Sequence, residues 1–168
     1  AYFETLNFDS ITINPYMGKD SVEPFLEYKN KHTILLALTS NVGAFDFQTK
    51  KIVDNSNKLY EEVIKTSTSW ENSNQLMYVV GATKASYLKE IRNIVPNNFL
   101  LIPGVGTQGG DLKEVCDNGL NNEVGLLINS SRSIIYASND TNFDIDAAKN
   151  AQEIQSQMGY ILSSRGLV

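Results

Sequence analysis

Residues 99 to 111, Phe99 through Asp111, read FLLIPGVGTQGGD. Phe99, Leu100, Leu101 and Ile102 make an apolar run of strand length, and Pro103 breaks it. Glycines follow at 104, 106, 109 and 110. Asp111 then opens a short amphipathic segment, with Leu112, Val115 and Cys116 on its apolar side, that Gly119 stops. Strand, glycine loop and helix start in succession predict an anion site. Backbone N–H groups close on a phosphate, and the helix N-terminus favours negative charge. Glycine suits such a loop because the backbone approaches the ligand closely, often at positive φ.

Gly104, Gly106 and Gly109 satisfy G-x-G-x-x-G, which raises a dinucleotide-binding fold. That fold also requires a carboxylate about 20 positions on, at the end of the next strand, to bind a ribose hydroxyl. The next apolar run, Val124 to Asn129, ends instead in Asn129, Ser130, Ser131 and Arg132. An arginine arrives on a serine-rich turn. A glycine loop after one strand and a cationic turn after the next is the phosphate grip of a β/α barrel, built from the loops after strands seven and eight.

The same rhythm runs outward from this unit. Ala1 to Phe8 reads as the tail of a helix, with Tyr2, Phe3 and Leu6 on one face. ITIN, ending at Asn14, is a β-branched strand broken by Pro15 and Gly18. Asp20 or Ser21 caps a helix through Tyr28 that tolerates Pro24 in its first turn. TILLAL, residues 33–38, is an apolar strand buried on both faces, running into the polar turn Thr39–Gly43. A helix from Ser56 or Asn57 carries Leu59, Tyr60, Val63 and Ile64 on one side, and Trp70 follows as a cover on the wall. MYVV, residues 77–80, is the next strand; Thr83 caps a helix bearing Leu88, Ile91 and Val95, which Pro96 ends. After the Arg132 turn, a last helix aligns Ala147, Ala151, Ile154, Met158, Ile161 and Leu162, with Gly166 as its stop. This alternation specifies a parallel sheet covered by helices, α/β in class, with turns gathered at the strands' C-terminal ends where ligands bind. About five strands cannot close an eight-stranded barrel. The chain is therefore either a compact open sheet or the larger part of a barrel.

The 168 residues, 42% hydrophobic and 20% charged, suit one domain, 1–168. A net charge of −5 argues against nucleic acid as partner, because phosphate backbones recruit basic faces. A small phosphorylated ligand needs only a local cation. The single Cys116 forms neither an intramolecular disulfide nor a zinc cluster, and its place beside Val115 makes it a buried structural thiol. No apolar run is long enough to span a bilayer, and the first residues do not read as a signal peptide. The expected compartment is the cytoplasm, which leaves the sequons at Asn129 and Asn139 incidental. His32, the only histidine, precedes a strand at its N-terminal end, away from barrel chemistry. Asp20 and Asp46 read as caps or solvated carboxylates. No His, Cys or acidic set has metal-ligand spacing, and no Ser-His-Asp set can be assembled. The aromatic residues are spread through strands and helix faces, as a core and not a base-stacking platform.

With these blocks in place, the chain resembles the C-terminal part of orotidine 5′-phosphate decarboxylases of the longer bacterial form. DSITINPYMGKDS at 9–21, ALTSN at 37–41, VVGAT at 79–83, LLIPGVGTQGGDL at 100–112 and LLINSSRSIIYAS at 126–138 carry the resemblance, in order and across essentially the whole chain. It implies a (β/α)8 TIM barrel of which about the last five βα units are present, and a homodimeric carboxy-lyase. That enzyme makes uridine 5′-phosphate from orotidine 5′-phosphate, in pyrimidine biosynthesis, without metal or organic cofactor. Carried over, Gln108 hydrogen-bonds the substrate phosphate, Arg132 pairs with it, and the Ser131 backbone N–H completes the cradle. Ser40 meets the amide edge of the pyrimidine, Pro103 and Val105 line the base pocket, and Thr12 and Asn14 contribute to its floor. Where the family often has glycine, Ser131 stands here.

The family's chemistry rests on a D-x-K-x-x-D motif after its third strand plus an earlier lysine, and no copy of that motif occurs in these residues. The resemblance implies a carbanion at the pyrimidine ring, formed on loss of carbon dioxide and protonated by that lysine. Catalytic residues are therefore expected upstream of Ala1, and the 168 residues alone are expected to be inactive. Two other readings remain: another phosphate-binding barrel, such as a sugar-phosphate epimerase or synthase, and an inactive nucleotide-binding fragment.

Overall fold

The computed structural model describes residues 1–53, 56–106 and 109–168. Five parallel strands, β1 (Ser10–Ile13), β2 (His32–Leu38), β3 (Leu76–Val80), β4 (Leu100–Pro103) and β5 (Leu126–Asn129), lie side by side in chain order. The crossovers carry helices α1 (Lys19–Leu26), α2 (Leu59–Thr68), α3 (Ala85–Ile94) and α4 (Leu112–Gly119). A four-residue helix α5 (Arg132–Ile135) and the long α6 (Phe143–Ser164) follow β5. Each crossover steps to the next neighbour without reversing, the order of a barrel wall and not of a doubly wound dinucleotide fold.

Both faces of the sheet carry apolar side chains, which is why the strands read as unbroken hydrophobic runs. Toward the helices, Leu35, Tyr78, Leu100 and Ile102 pack on Leu26, Ile64, Leu88 and Val115. On the other face, Ile34, Met77 and Val79, with Leu36 and Leu101 against them, form a layer across β2 to β4. The registers Ile34 with Met77 and Val79 with Leu101 align that layer. Each fully buried aliphatic side chain contributes roughly 1.5–3 kcal/mol. At the ends of the sheet β1 and β5 each pair on one side only, and Leu127 on β5 is half exposed.

Several local expectations are corrected. Residues 1–8 form one turn, not a helix tail: the Thr5 and Leu6 N–H groups donate to the Ala1 carbonyl, and Asn7 at φ 51° ends it. Phe3 alone of its face is buried, edge-on to Phe25 and Tyr28. Neither Asp20 nor Ser21 caps α1, which starts at Lys19 with Gly18 in the cap position. Helix α2 begins at Leu59, where the Glu61 carboxylate accepts from the Lys58 N–H at 2.6 Å. Helix α6 ends as expected: Gly166 at φ 66° lets the Leu167 N–H reach the Leu162 carbonyl.

Candidate functional site

Strands β4 and β5 run in register to their ends, Pro103 opposite Asn129, so their C-terminal turns face each other. Between Pro103–Val105 and Asn129–Ser133 lies a cavity of about 60 Å3. Pro103, Val105, Ser131 and Arg132 all line it, so the structure brings these four expected residues together. Arg132 is the first residue of α5 and exposed, and its guanidinium forms no hydrogen bond or ion pair among the described residues. An uncommitted guanidinium on a polar notch suits a dianion, which it grips in bidentate fashion.

Sequence reading missed two hydroxyls here. Ser130 Oγ donates to the Val105 carbonyl at 3.2 Å, and the Ser130 and Ser133 hydroxyls hydrogen-bond each other. They hold the glycine loop to the arginine turn. Only the serine-rich composition hinted at this.

The glycine loop differs from its expected form. Gly104, Gly106 and Gly109 sit at φ 94°, 86° and 83°, as a tight loop requires. The Gly106, Gly109 and Gly110 N–H groups, however, donate within the loop, to Gly110, Gly106 and Gly104 carbonyls. They are not bare donors for a ligand. The start of α4 is likewise taken, because the Asp111 carboxylate accepts from the Glu114 N–H at 2.7 Å. The cavity therefore opens toward the Arg132 turn and not toward the α4 N-terminus. Gln108 lies outside the described residues.

Ser40 stands in the turn after β2, beside the turn after β3. Gly81 packs so tightly there that an added Cβ would lie 2.5 Å from the Ser40 backbone. Thr83, expected to cap α3, instead donates its hydroxyl to the Ser40 carbonyl at 3.1 Å, and α3 begins at Ala85. On the far side, Gly110 packs against Ala82, where a Cβ would fall 2.3 Å from the alanine Cβ. The glycine loop, the β3 turn and the Ser40 turn are thus in sequence around one rim.

Thr12 and Asn14 lie on and just after β1, at the opposite edge of the sheet from Arg132. Both are exposed, and the Asn14 side chain accepts from the Tyr16 N–H at 3.0 Å. The structure places them at the same end of the sheet as the cavity but does not bring them to it. His32 is the first residue of β2, at the other end of the sheet. Cys116 is buried, which pushes its thiol pKa up, and its Sγ lies 3.6 Å from the Met158 sulfur. Among the described residues no group of three His, Cys, Asp or Glu could hold a metal ion, and no helix is long and apolar enough to cross a membrane.

The sequence profile of the orotidine 5′-phosphate decarboxylase / HUMPS family matches residues 1–143. The chain belongs to that family. It is 67% identical over 158 residues to an orotidine 5′-phosphate decarboxylase of Christiangramia forsetii, covering 94% of this chain and 57% of the relative. It is 59% identical over 165 residues to one of Flavobacterium johnsoniae, covering 98% and 60%. The solved Leishmania donovani OMP decarboxylase superposes with a TM-score of 0.75 at 35% identity, over 92% of this chain and 59% of that one. The chain therefore spans about three fifths of the length of these relatives. Its fold is that of part of a β/α barrel, and the cavity lies after its fourth and fifth strands, the last two described.

Proposed function

We propose that residues 1–168 are one unit of an orotidine 5′-phosphate decarboxylase, and that this unit supplies the phosphate and pyrimidine side of the site. The observation that carries the reading is the cavity between two neighbouring strand-end turns with the uncommitted Arg132 on its wall. Arg132 and the Ser131 backbone take the phosphate, with Gln108 as the third contact. Pro103 and Val105 flank the sugar and base, and Ser40 meets the pyrimidine amide, with Thr12 and Asn14 as outlying floor residues. The reaction replaces the ring carboxylate by a proton, through a carbanion stabilised by charge placed in advance around the carbon. None of these residues provides that charge or the proton. They contribute binding energy remote from the reacting carbon, which lowers the barrier only when coupled to it. The lysine and aspartates of that chemistry are assigned to sequence outside these 168 residues. The complete enzyme is proposed to be a cytoplasmic homodimer that uses no cofactor.

Calorimetric titration of the chain with uridine 5′-phosphate and with uridine tests this. Binding that requires the phosphate, with no decarboxylation by the chain alone, is the expected result. Equal affinity for nucleotide and nucleoside, or preference for a pentulose phosphate, overturns the assignment; turnover by the chain alone overturns its division of labour.

A further inference from the structure

Lys84 is folded into the protein, only 8% exposed, and its ammonium lies 3.7 Å from the centre of the Phe45 ring. No carboxylate among the described residues is within ion-pair distance of it. An ammonium is strongly hydrated, so one stripped of water and given no anion is held by what remains, here the negative face of an aromatic ring. Phe45 closes the 3-10 turn Val42–Phe45 that follows Ser40, and is itself half exposed.

The segment Gly81–Lys84 touches the same loop at further points. The Gly81 N–H donates to the Leu38 carbonyl at 2.7 Å, Gly81 abuts Ser40, and Thr83 donates to the Ser40 carbonyl. Gln48 ties the loop's far side, accepting from the Thr39 N–H at 2.7 Å and donating to its hydroxyl at 2.9 Å. These contacts tie the loop at the Leu38 and Ser40 carbonyls, and Gln48 returns it to Thr39. Between them the exposed crest from Val42 to Phe45 is held by buried Ala44, whose carbonyl accepts from the Gln48 N–H at 2.9 Å, and by Lys84.

We propose that Lys84 is a positioning residue, its ammonium stacked on Phe45 so that the Val42–Phe45 turn stays where it presents Ser40 to the pyrimidine ring. This rests on the role given to Ser40 above. Lys84 itself touches no ligand.

The test compares Lys84→Met, Lys84→Arg and Phe45→Leu, with uridine 5′-phosphate and ribose 5-phosphate as probes and amide hydrogen exchange over residues 42–48. Lys84→Met is expected to weaken uridine 5′-phosphate about 5- to 20-fold, the range of one desolvated cation–π contact. It should leave ribose 5-phosphate unchanged and speed exchange at 42–48. Lys84→Arg, which keeps the cation, should restore most of both. Phe45→Leu should match Lys84→Met, and the pair together should be no worse than either. Equal weakening of both probes, or unaltered exchange at 42–48, overturns the proposal. Failure of the parent protein to bind uridine 5′-phosphate overturns the functional reading instead, and exchange in Lys84→Met still decides whether Lys84 holds the turn.

Discussion

The Ser130 hydroxyl reaches across from the β5 turn and donates to the Val105 carbonyl at 3.2 Å. Among the described residues this bond ties the two walls of the cavity together beyond the β4–β5 pairing, and Ser133 supports it from the next turn of chain. A neutral hydrogen bond of this kind contributes about 1 kcal/mol. Ser130→Ala should therefore cost little stability in urea unfolding but separate the walls, weakening uridine 5′-phosphate by about 3- to 10-fold. Ser133→Ala should do less, because Ser130 keeps its carbonyl. Unchanged affinity in the double variant would show that the walls are held by something else.

Among the described residues, Arg132 is the one cation lining that cavity. Arg132→Ala should cost roughly 2–4 kcal/mol of nucleotide binding, the scale for removing one partner of a charge-assisted contact. Lysine in its place should recover part of this, since it brings charge without the planar fork. The loss should shrink at high salt, because the site is exposed and screened. Identical dissociation constants for parent and alanine variant, measured by calorimetry, would remove Arg132 from the phosphate site.

The strands and the neighbourhood of Gly104 and Arg132 were legible in the sequence for a plain reason. TILLAL and MYVV are buried on two faces, so their composition alone reports it, and consecutive βα units in a barrel are spatial neighbours. What escaped depends on contacts between distant residues. Nothing local to Thr83 reveals that its hydroxyl meets Ser40 instead of capping α3, and nothing near Gly81 reveals how closely Ser40 approaches. The first eight residues misread as helix because Tyr2, Phe3 and Leu6 have helical spacing while Asn7 turns left-handed after one turn. The expectation of bare N–H groups fails at Gly106, Gly109 and Gly110, whose amides are taken by carbonyls of neighbouring glycines that no local pattern specifies.

Arg92 illustrates a structural cation with no anionic partner among the described residues. Its guanidinium donates to four backbone carbonyls, those of Gly119 at 2.6 Å, Asn98 at 2.6 Å, Gly125 at 2.6 Å and Val95 at 3.1 Å. It thereby ties the end of α3 to the end of α4 and to the turns entering β4 and β5. Burial lowers its pKa to about 10. Removing it leaves several carbonyls with fewer partners at about 1–3 kcal/mol each where water cannot replace them. Arg92→Met should lose about 3 kcal/mol or more, a fall in Tm of roughly 6–12 °C for a chain this size. Arg92→Lys should recover only part, lacking the fork. A thermal midpoint within a degree or two of the parent would refute this.

Tyr78 sets a limit on alkaline stability. It is fully buried on β3, its hydroxyl 2.9 Å from Ser67 Oγ, and burial pushes its pKa up to about 12, with the Ser67 contact pulling the other way. Below pH 10 both the folded and unfolded chains keep this phenol protonated, and the native packing counts in full. Between pH 10 and 12 the unfolded chain ionises while the folded one does not, so stability falls as pH rises, by up to about 2–3 kcal/mol from this group. Tyr60, raised further by burial and by the Glu61 and Glu90 carboxylates, steepens the same limb. Tyr78→Phe should cost only about 1 kcal/mol at neutral pH, because Ser67 still donates to the Ile64 carbonyl at 3.0 Å. Its urea-unfolding free energy should decline less between pH 10 and 12 than that of the parent. Parallel declines would mean that Tyr78 ionises as readily in the folded chain as in the unfolded one, against its burial in β3.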